Sequence, residues 1–219
     1  MAFRHIVKSS ATYKNYFFDV SVSRCGESES KGLVTFEIDY GDIHFKNNNI
    51  TYNRCRQYSS FYNVLYGISG YCNFSTFREN NQISTSLQID TMGGQTSLIN
   101  HVYYCNVIGN KCETSSSLVL VHCRYNTNLD HCVFLNNVAG TMFQIYEKGF
   151  TMTITDSYVE SRSKTGPGSI IFERVSLNSN SINISHFYTE NCFIEPEVIT
   201  DIFSYFCSFA ESSIVLFEK

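Results

Sequence analysis

The feature that most constrains this chain is a short segment that recurs every 25 to 32 residues, with the form anchor-x-(aromatic or aliphatic)-x-x-Asn. It reads Ile43-x-Phe45-x-x-Asn48, Ser75-x-Phe77-x-x-Asn80, Cys105-x-Val107-x-x-Asn110, Cys132-x-Phe134-x-x-Asn137, Ser157-x-Val159-x-x-Arg162 and His186-x-Tyr188-x-x-Asn191. A second apolar run precedes each copy: 33–36, 62–66, 87–89, 118–121, 142–145 and 170–172. Each period therefore holds at least two short strands and their turns, and no stretch long enough for a regular helix of 3.6-residue periodicity. Such a unit cannot bury its own apolar face. Stacking successive units at the strand spacing of roughly 4.8 Å joins their cores into one.

The repeat predicts an all-β chain: a right-handed parallel β-helix of six or seven irregular coils. It predicts an inward stack of Phe45, Phe77, Val107, Phe134, Val159 and Tyr188. Beside it runs an inward anchor column, Ile43, Ser75, Cys105, Cys132, Ser157 and His186, whose mostly small members leave room for the rings. The terminal asparagines, Asn48, Asn80, Asn110, Asn137 and Asn191, are predicted to lie above one another at a single bend as an asparagine ladder. Asn tolerates left-handed backbone, and its amide can bond to the equivalent amide of the next coil. Arg162 interrupts the series and predicts a local irregularity. All 219 residues are read as a single domain, with 1–30 as cap or first coil, 31–195 as clear repeats and 196–219 as the last coil.

Composition agrees. The chain has 18 Phe and 15 Tyr but four Ala and ten Leu, a balance that suits a pleated, half-buried surface better than a helix. The formal net charge is −4, with no basic stripe. Clustered cations are what non-specific nucleic-acid binding requires, so nucleic acid is not an expected partner. Nine cysteines are spread evenly without a CxxC pair, which fits small buried hydrophobes rather than a zinc site. No secretory signal and no membrane-spanning apolar stretch is read, and the compartment is left open.

Phe45-x-x-Asn48, Phe77-x-x-Asn80 and Phe134-x-x-Asn137 resemble the FxxN repeats of polymorphic outer-membrane-type surface proteins. The wider pattern, over about residues 30 to 195, resembles the right-handed parallel β-helix (pectin-lyase-like) superfamily. That resemblance implies a solenoid fold, and for its enzymes the cleavage of pectin and related polysaccharides. The small apolar residue of the companion GGA-type motif is replaced by Gln95 after Gly93-Gly94. Leu129-x-x-Cys132-x-Phe134-x-x-Asn137 can also be written as the leucine-rich signature, which makes a leucine-rich interaction module the structural alternative.

No string in the chain has the spacing of a known catalytic, metal or cofactor motif, and none of the three is assigned. The outward column one residue before each anchor reads Asp42, Phe74, Tyr104, His131, Asp156 and Ser185. It brings His131 and Asp156 together on successive coils as the one candidate binding pair; an ordinary solvated cross-strand pair would look the same. The function expected is a non-catalytic structural or interaction protein, adhesin-like, that binds carbohydrate or protein on an elongated β face. The alternative is a polysaccharide lyase or glycoside hydrolase acting at the same pair. The apolar segment 212–217 reads as an unfinished strand whose open edge invites edge-to-edge self-association.

Overall fold

The computed structural model describes residues 3–8, 12–26, 36–56, 61–66, 70–82, 87–92, 99–112 and 119–177. The chain is a parallel β-solenoid: its strands pair in parallel with their equivalents on neighbouring coils, in three long sheets and one two-stranded sheet, Arg54–Cys55 with Asn81–Gln82. The first sheet holds Phe3–Ile6, Phe36–Asp39, Phe61–Tyr66, Leu87–Met92, Val119–Cys123, Thr141–Ile145 and Lys164–Thr165. The second holds Lys14–Phe18, Asp42–Lys46, Tyr71–Asn73, Asn100–Tyr103, Thr127–Asp130, Thr151–Thr155 and Ser169–Glu173. Shorter strands form the third: Ser21–Ser23, Asn49–Thr51, Thr76–Arg78, Asn106–Ile108, Val133–Leu135 and Tyr158–Val159. Among the described residues there is no helix, so the helical or 3₁₀ limb of a leucine-rich repeat has no counterpart there.

Alternation sets the inside and the outside. In Lys14–Phe18, Asp42–Lys46 and Thr151–Thr155, every second side chain is buried and its neighbours face outward. The inward column of the second sheet is Phe17, Phe45, Cys72, Val102, Leu129, Ile154 and Phe172. That of the third is Val22, Ile50, Phe77, Val107, Phe134 and Val159. The rings of Phe17 and Phe45 stack at 5.4 Å, and those of Phe45 and Phe77 at 5.8 Å. Full burial of each such ring contributes about 2–3 kcal/mol. The described cysteines are buried, and Cys72 Sγ lies 3.8 Å from Cys105 Sγ. Burial pushes the Cys105 and Cys132 thiols well above their ordinary value, which leaves them protonated packing groups.

Two tight corners close the path from the second sheet through the third. Each is a left-handed residue followed by an inward one. At the corner between second and third sheets the left-handed residues are Asp19, Asn47, Phe74, Tyr104, His131, Asp156 and Arg174, with φ between 46° and 59°. At the corner beyond the third sheet they are Arg24, Tyr52, Glu79, Gly109 and Asn136. The inward residues of this second corner are Cys25, Asn53, Asn80, Asn110 and Asn137. The backbone N–H of Asn53 donates to Asn80 Oδ1 (3.1 Å), that of Asn80 to Asn110 Oδ1 (3.0 Å) and that of Asn110 to Asn137 Oδ1 (3.0 Å). Their Nδ2 groups donate to Val22, Ile50, Phe77 and Val107 carbonyl oxygens at 2.7–3.1 Å. Each amide thus caps backbone groups that the sharp bend removes from the sheets.

The structure starts the first copy of the repeat five residues later than the motif predicts. Phe45 pairs with Cys72 in the second sheet, and it is Ile50 that pairs with Phe77. Asn53, not Asn48, stacks on Asn80, while Asn48 takes the anchor corner, where its N–H donates to Ser75 Oγ (3.1 Å) and its Nδ2 to Phe17 O (2.8 Å). Ile43 therefore leaves the anchor column and Asn48 enters it. The two corners of one coil lie five residues apart, so Ile43-x-Phe45-x-x-Asn48 and Asn48-x-Ile50-x-x-Asn53 both match the motif in tandem. The run 170–172 does not continue the series of 142–145 in the first sheet: Ser169–Glu173 continues Thr151–Thr155 of the second sheet. At the predicted irregularity the strand Tyr158–Val159 is two residues long, and Arg162 donates to Val175 O (2.9 Å). His186, Tyr188, Asn191, Ser185 and the segment 212–217 lie outside the described residues.

Candidate functional site

The outward side of the second sheet and its left-handed corner form one continuous surface. Register alone builds it. Tyr16, His44, Tyr71, His101, Asn128, Thr153 and Ile171 make one outward row. Phe18, Lys46, Asn73, Tyr103, Asp130, Thr155 and Glu173 make the next. Side chains repeating at one strand spacing bring rings into contact. Tyr16 meets His44 at 4.7 Å, His44 meets Tyr71 at 5.4 Å, and Tyr71 stacks on His101 at 5.2 Å and 16°. The Tyr103 hydroxyl bonds His101 Nδ1. Burial lowers the His101 imidazole below its ordinary value and raises the Tyr103 phenol, so both are uncharged near neutrality.

At the N-terminal end of this face Asp42 receives Lys14 Nζ at 2.6 Å, His44 Nε2 at 3.0 Å and the Tyr16 hydroxyl at 3.4 Å. Burial pushes the Asp42 carboxyl upward, but the bonds and charges of Lys14 and His44 outweigh it and hold the group below its ordinary value. Asp42 was expected in the corner column beside Phe74. It lies instead inside the second sheet, opposite Lys14, and Asn47 holds the corner position.

The corner column is a ridge. Its members are joined through backbone N–H groups donated by Asp19, Asn47, Phe74, Tyr104, His131 and Asp156 to the strand ends of the following coil. Phe74 and Tyr104, 44% and 39% exposed, stack at 5.1 Å with planes 4° apart, and the His131 ring lies 4.9 Å from Tyr104, tilted by 32°. Asp156 follows, and Arg174 grips both of its oxygens at 2.6 Å through Nε and Nη2. That forked bond holds the Asp156 carboxyl below its ordinary value. His131 Nδ1 lies 2.9 Å from Asp130 Oδ2.

The structure thus brings His131 and Asp156 together on successive coils, as their spacing predicts, and adds Asp130 and Arg174, which the sequence reading missed. Aligning 169–173 with 151–155 places Arg174 directly after Asp156 in the column, so the signal was present in the sequence. Asp130, His131 and Asp156 each offer one ligand atom within 4.8 Å of the others. That is a donor set a divalent cation can use, but both Asp156 oxygens already bond a cation of the protein itself. A parallel β-solenoid carrying an external aromatic and ionic ridge is the class that fold and site define. Compared with known proteins, the chain matches no family model, no curated protein and no solved structure.

Proposed function

We propose that this chain is a non-catalytic interaction protein: a right-handed β-helix of six or seven coils that presents its second sheet and adjoining ridge to a carbohydrate or protein partner. One observation carries the reading. Phe74 and Tyr104 occupy left-handed backbone positions at which Asn or Gly costs least, and a bulky L-residue there is disfavoured by roughly 1–2 kcal/mol. Asn47 shows that the corner accepts asparagine. Large exposed rings kept at a strained bend serve something other than folding, which is the direction in which such outliers are properly read. The ionic groups fit display better than turnover. Glycoside hydrolysis requires one protonated carboxyl, whereas Asp156 is ionised by its bond to Arg174 and Asp42 by Lys14 and His44.

Phe74→Asn/Tyr104→Asn tests the reading. The double variant keeps the wild-type melting temperature and loses binding to whichever glycan or protein the wild type retains on glycan arrays and in cross-linking. Turnover of a uronic-acid polymer that disappears in Asp156→Asn would instead establish the polysaccharide-cleaving alternative.

A further inference from the structure

We infer that the ridge is the contact between two copies of this chain, packed antiparallel about a two-fold axis at Tyr104; this names the partner within the interaction reading and rests on it. The argument begins with ring geometry. Phe74 stacks on Tyr104 with planes 4° apart, and His131 lies against the other side of Tyr104 tilted by 32°, so Tyr104 has a ring on either side and the facing sides of Phe74 and His131 are taken up by it. Sugars pack C–H groups against open ring faces, which this stack does not offer along its length.

What the ridge does offer is period. Its side chains repeat at about 4.8 Å over seven positions, a span of about 29 Å. A partner must present groups at the same interval to fill the spaces between them. An identical solenoid does so by construction.

The order of residues is self-complementary when reversed. Centred on Tyr104, the antiparallel pairing sets Asp19 at one end opposite Arg174 of the second copy, and Arg174 opposite the second copy's Asp19. It sets Asn47 opposite Asp156, Phe74 opposite His131, and Tyr104 opposite itself. Opposite charges meet at both ends, an amide donor meets a carboxylate, and rings meet rings at the centre. Arg174 uses two of its five N–H donors on Asp156, which leaves three for Asp19 of the second copy. A closed two-fold contact of this kind is the commonest form of self-association. The parallel alternative sets each charge against its like.

Cysteine trapping reads the register directly. Tyr104→Cys, lying on the axis, gives a covalent dimer on mild oxidation well above the wild-type background. Phe74→Cys and His131→Cys give none alone and a heterodimer when mixed. In sedimentation the wild type is a dimer, and Asp19→Lys raises its dissociation constant at least tenfold with an unchanged circular dichroism spectrum. A wild type that sediments as a monomer at its solubility limit, or a mixture of Phe74→Cys and His131→Cys that cross-links no better than either alone, overturns the inference. If that monomer still binds a glycan or another protein and loses it in Phe74→Asn/Tyr104→Asn, the interaction reading stands without self-association. If the ridge variant changes nothing that the wild type binds, both fall.

Discussion

The two corners of each coil share one backbone device and fill it in opposite ways. Both place a residue at left-handed φ and then turn the next side chain inward. Beyond the third sheet, the inward position is Asn on four successive coils, and each amide serves two backbone groups of the coil before it, an N–H and a carbonyl oxygen. Between the second and third sheets only Asn48 repeats that pattern; the inward positions Ser75, Cys105, Cys132 and Ser157 are small and do less, while the outward positions carry the rings and the Asp156–Arg174 pair. The first corner in this comparison spends its chemistry on closing the bend. The second spends it on what faces solvent. A bend alone therefore does not dictate its residues: the inward atom does the structural work, and the outward side chain is released for another purpose.

The largest effect that tests this contrast is at the asparagines. Asn110→Ala removes the acceptor for the Asn80 N–H and the donor to Phe77 O, both buried. Leaving such groups unpaired costs about 1–3 kcal/mol each, so a loss of about 3 kcal/mol in chemical denaturation is expected. Ser157→Ala acts at the equivalent inward position of the other corner. It orphans the Cys132 N–H (2.9 Å to Ser157 Oγ), whereas Thr155 O keeps the N–H of His131. A loss of about 1 kcal/mol is expected. Equal losses at the two sites would break the comparison.

The solenoid was legible because a period of 25 to 32 residues with a fixed strand pattern survives any error in register. Which residue of a coil stacks on which was less legible, and the reason lies in the corners. The strand between them is so short that consecutive bends sit five residues apart, and Asn48 satisfies the motif as either its end or its beginning. The gap of 32 residues before Ser75 was the outlying one; starting at Asn48 reduces it to 27, within the spread of the others. The pair His131 and Asp156 was legible because it depends only on the anchors Cys132 and Ser157, whose register is right. Arg174 was not, since the apolar pattern sets 170–172 in series with 142–145, whereas it stacks on 152–154. Lys14 and His44 were not legible, and Asp42 only as a corner residue, for a different reason: the motif says nothing about the outward rows of the second sheet, which depend on alternation within strands that precede the anchor.

A smaller effect, of either sign, is expected where the outward residue alone changes. Tyr104→Asn relieves the bulky residue at φ 54°, worth roughly 1–2 kcal/mol, and gives up a stacked pair worth about 0.5–1.5 kcal/mol. The two nearly cancel, and a melting curve within about 1 kcal/mol of wild type is expected, against the much larger loss in Asn110→Ala. A severe destabilisation would mean that the rings hold the corner together, and the distinction between a structural and a displayed side would collapse.

The smallest effect concerns the charged end of the ridge. Asp156 is held below its ordinary value of 3.8 chiefly by the forked bond from Arg174. A carboxyl whose folded-state value is depressed adds stability that is complete above its unfolded value and disappears as pH falls through the folded one. The contribution of this exposed pair is therefore intact at neutral pH and fades only below about pH 3.8. Carboxyl-detected NMR titration is expected to give Asp156 a midpoint below that value, and Arg174→Gln is expected to move it upward. The pair is open to water, so added salt weakens the attraction and shifts the wild-type midpoint in the same direction as the substitution. Little change in overall stability should accompany either perturbation, as befits a group that faces outward; a midpoint indifferent to Arg174 would mean that the ion pair does not form in solution and that the charged end of the ridge is free to meet another partner.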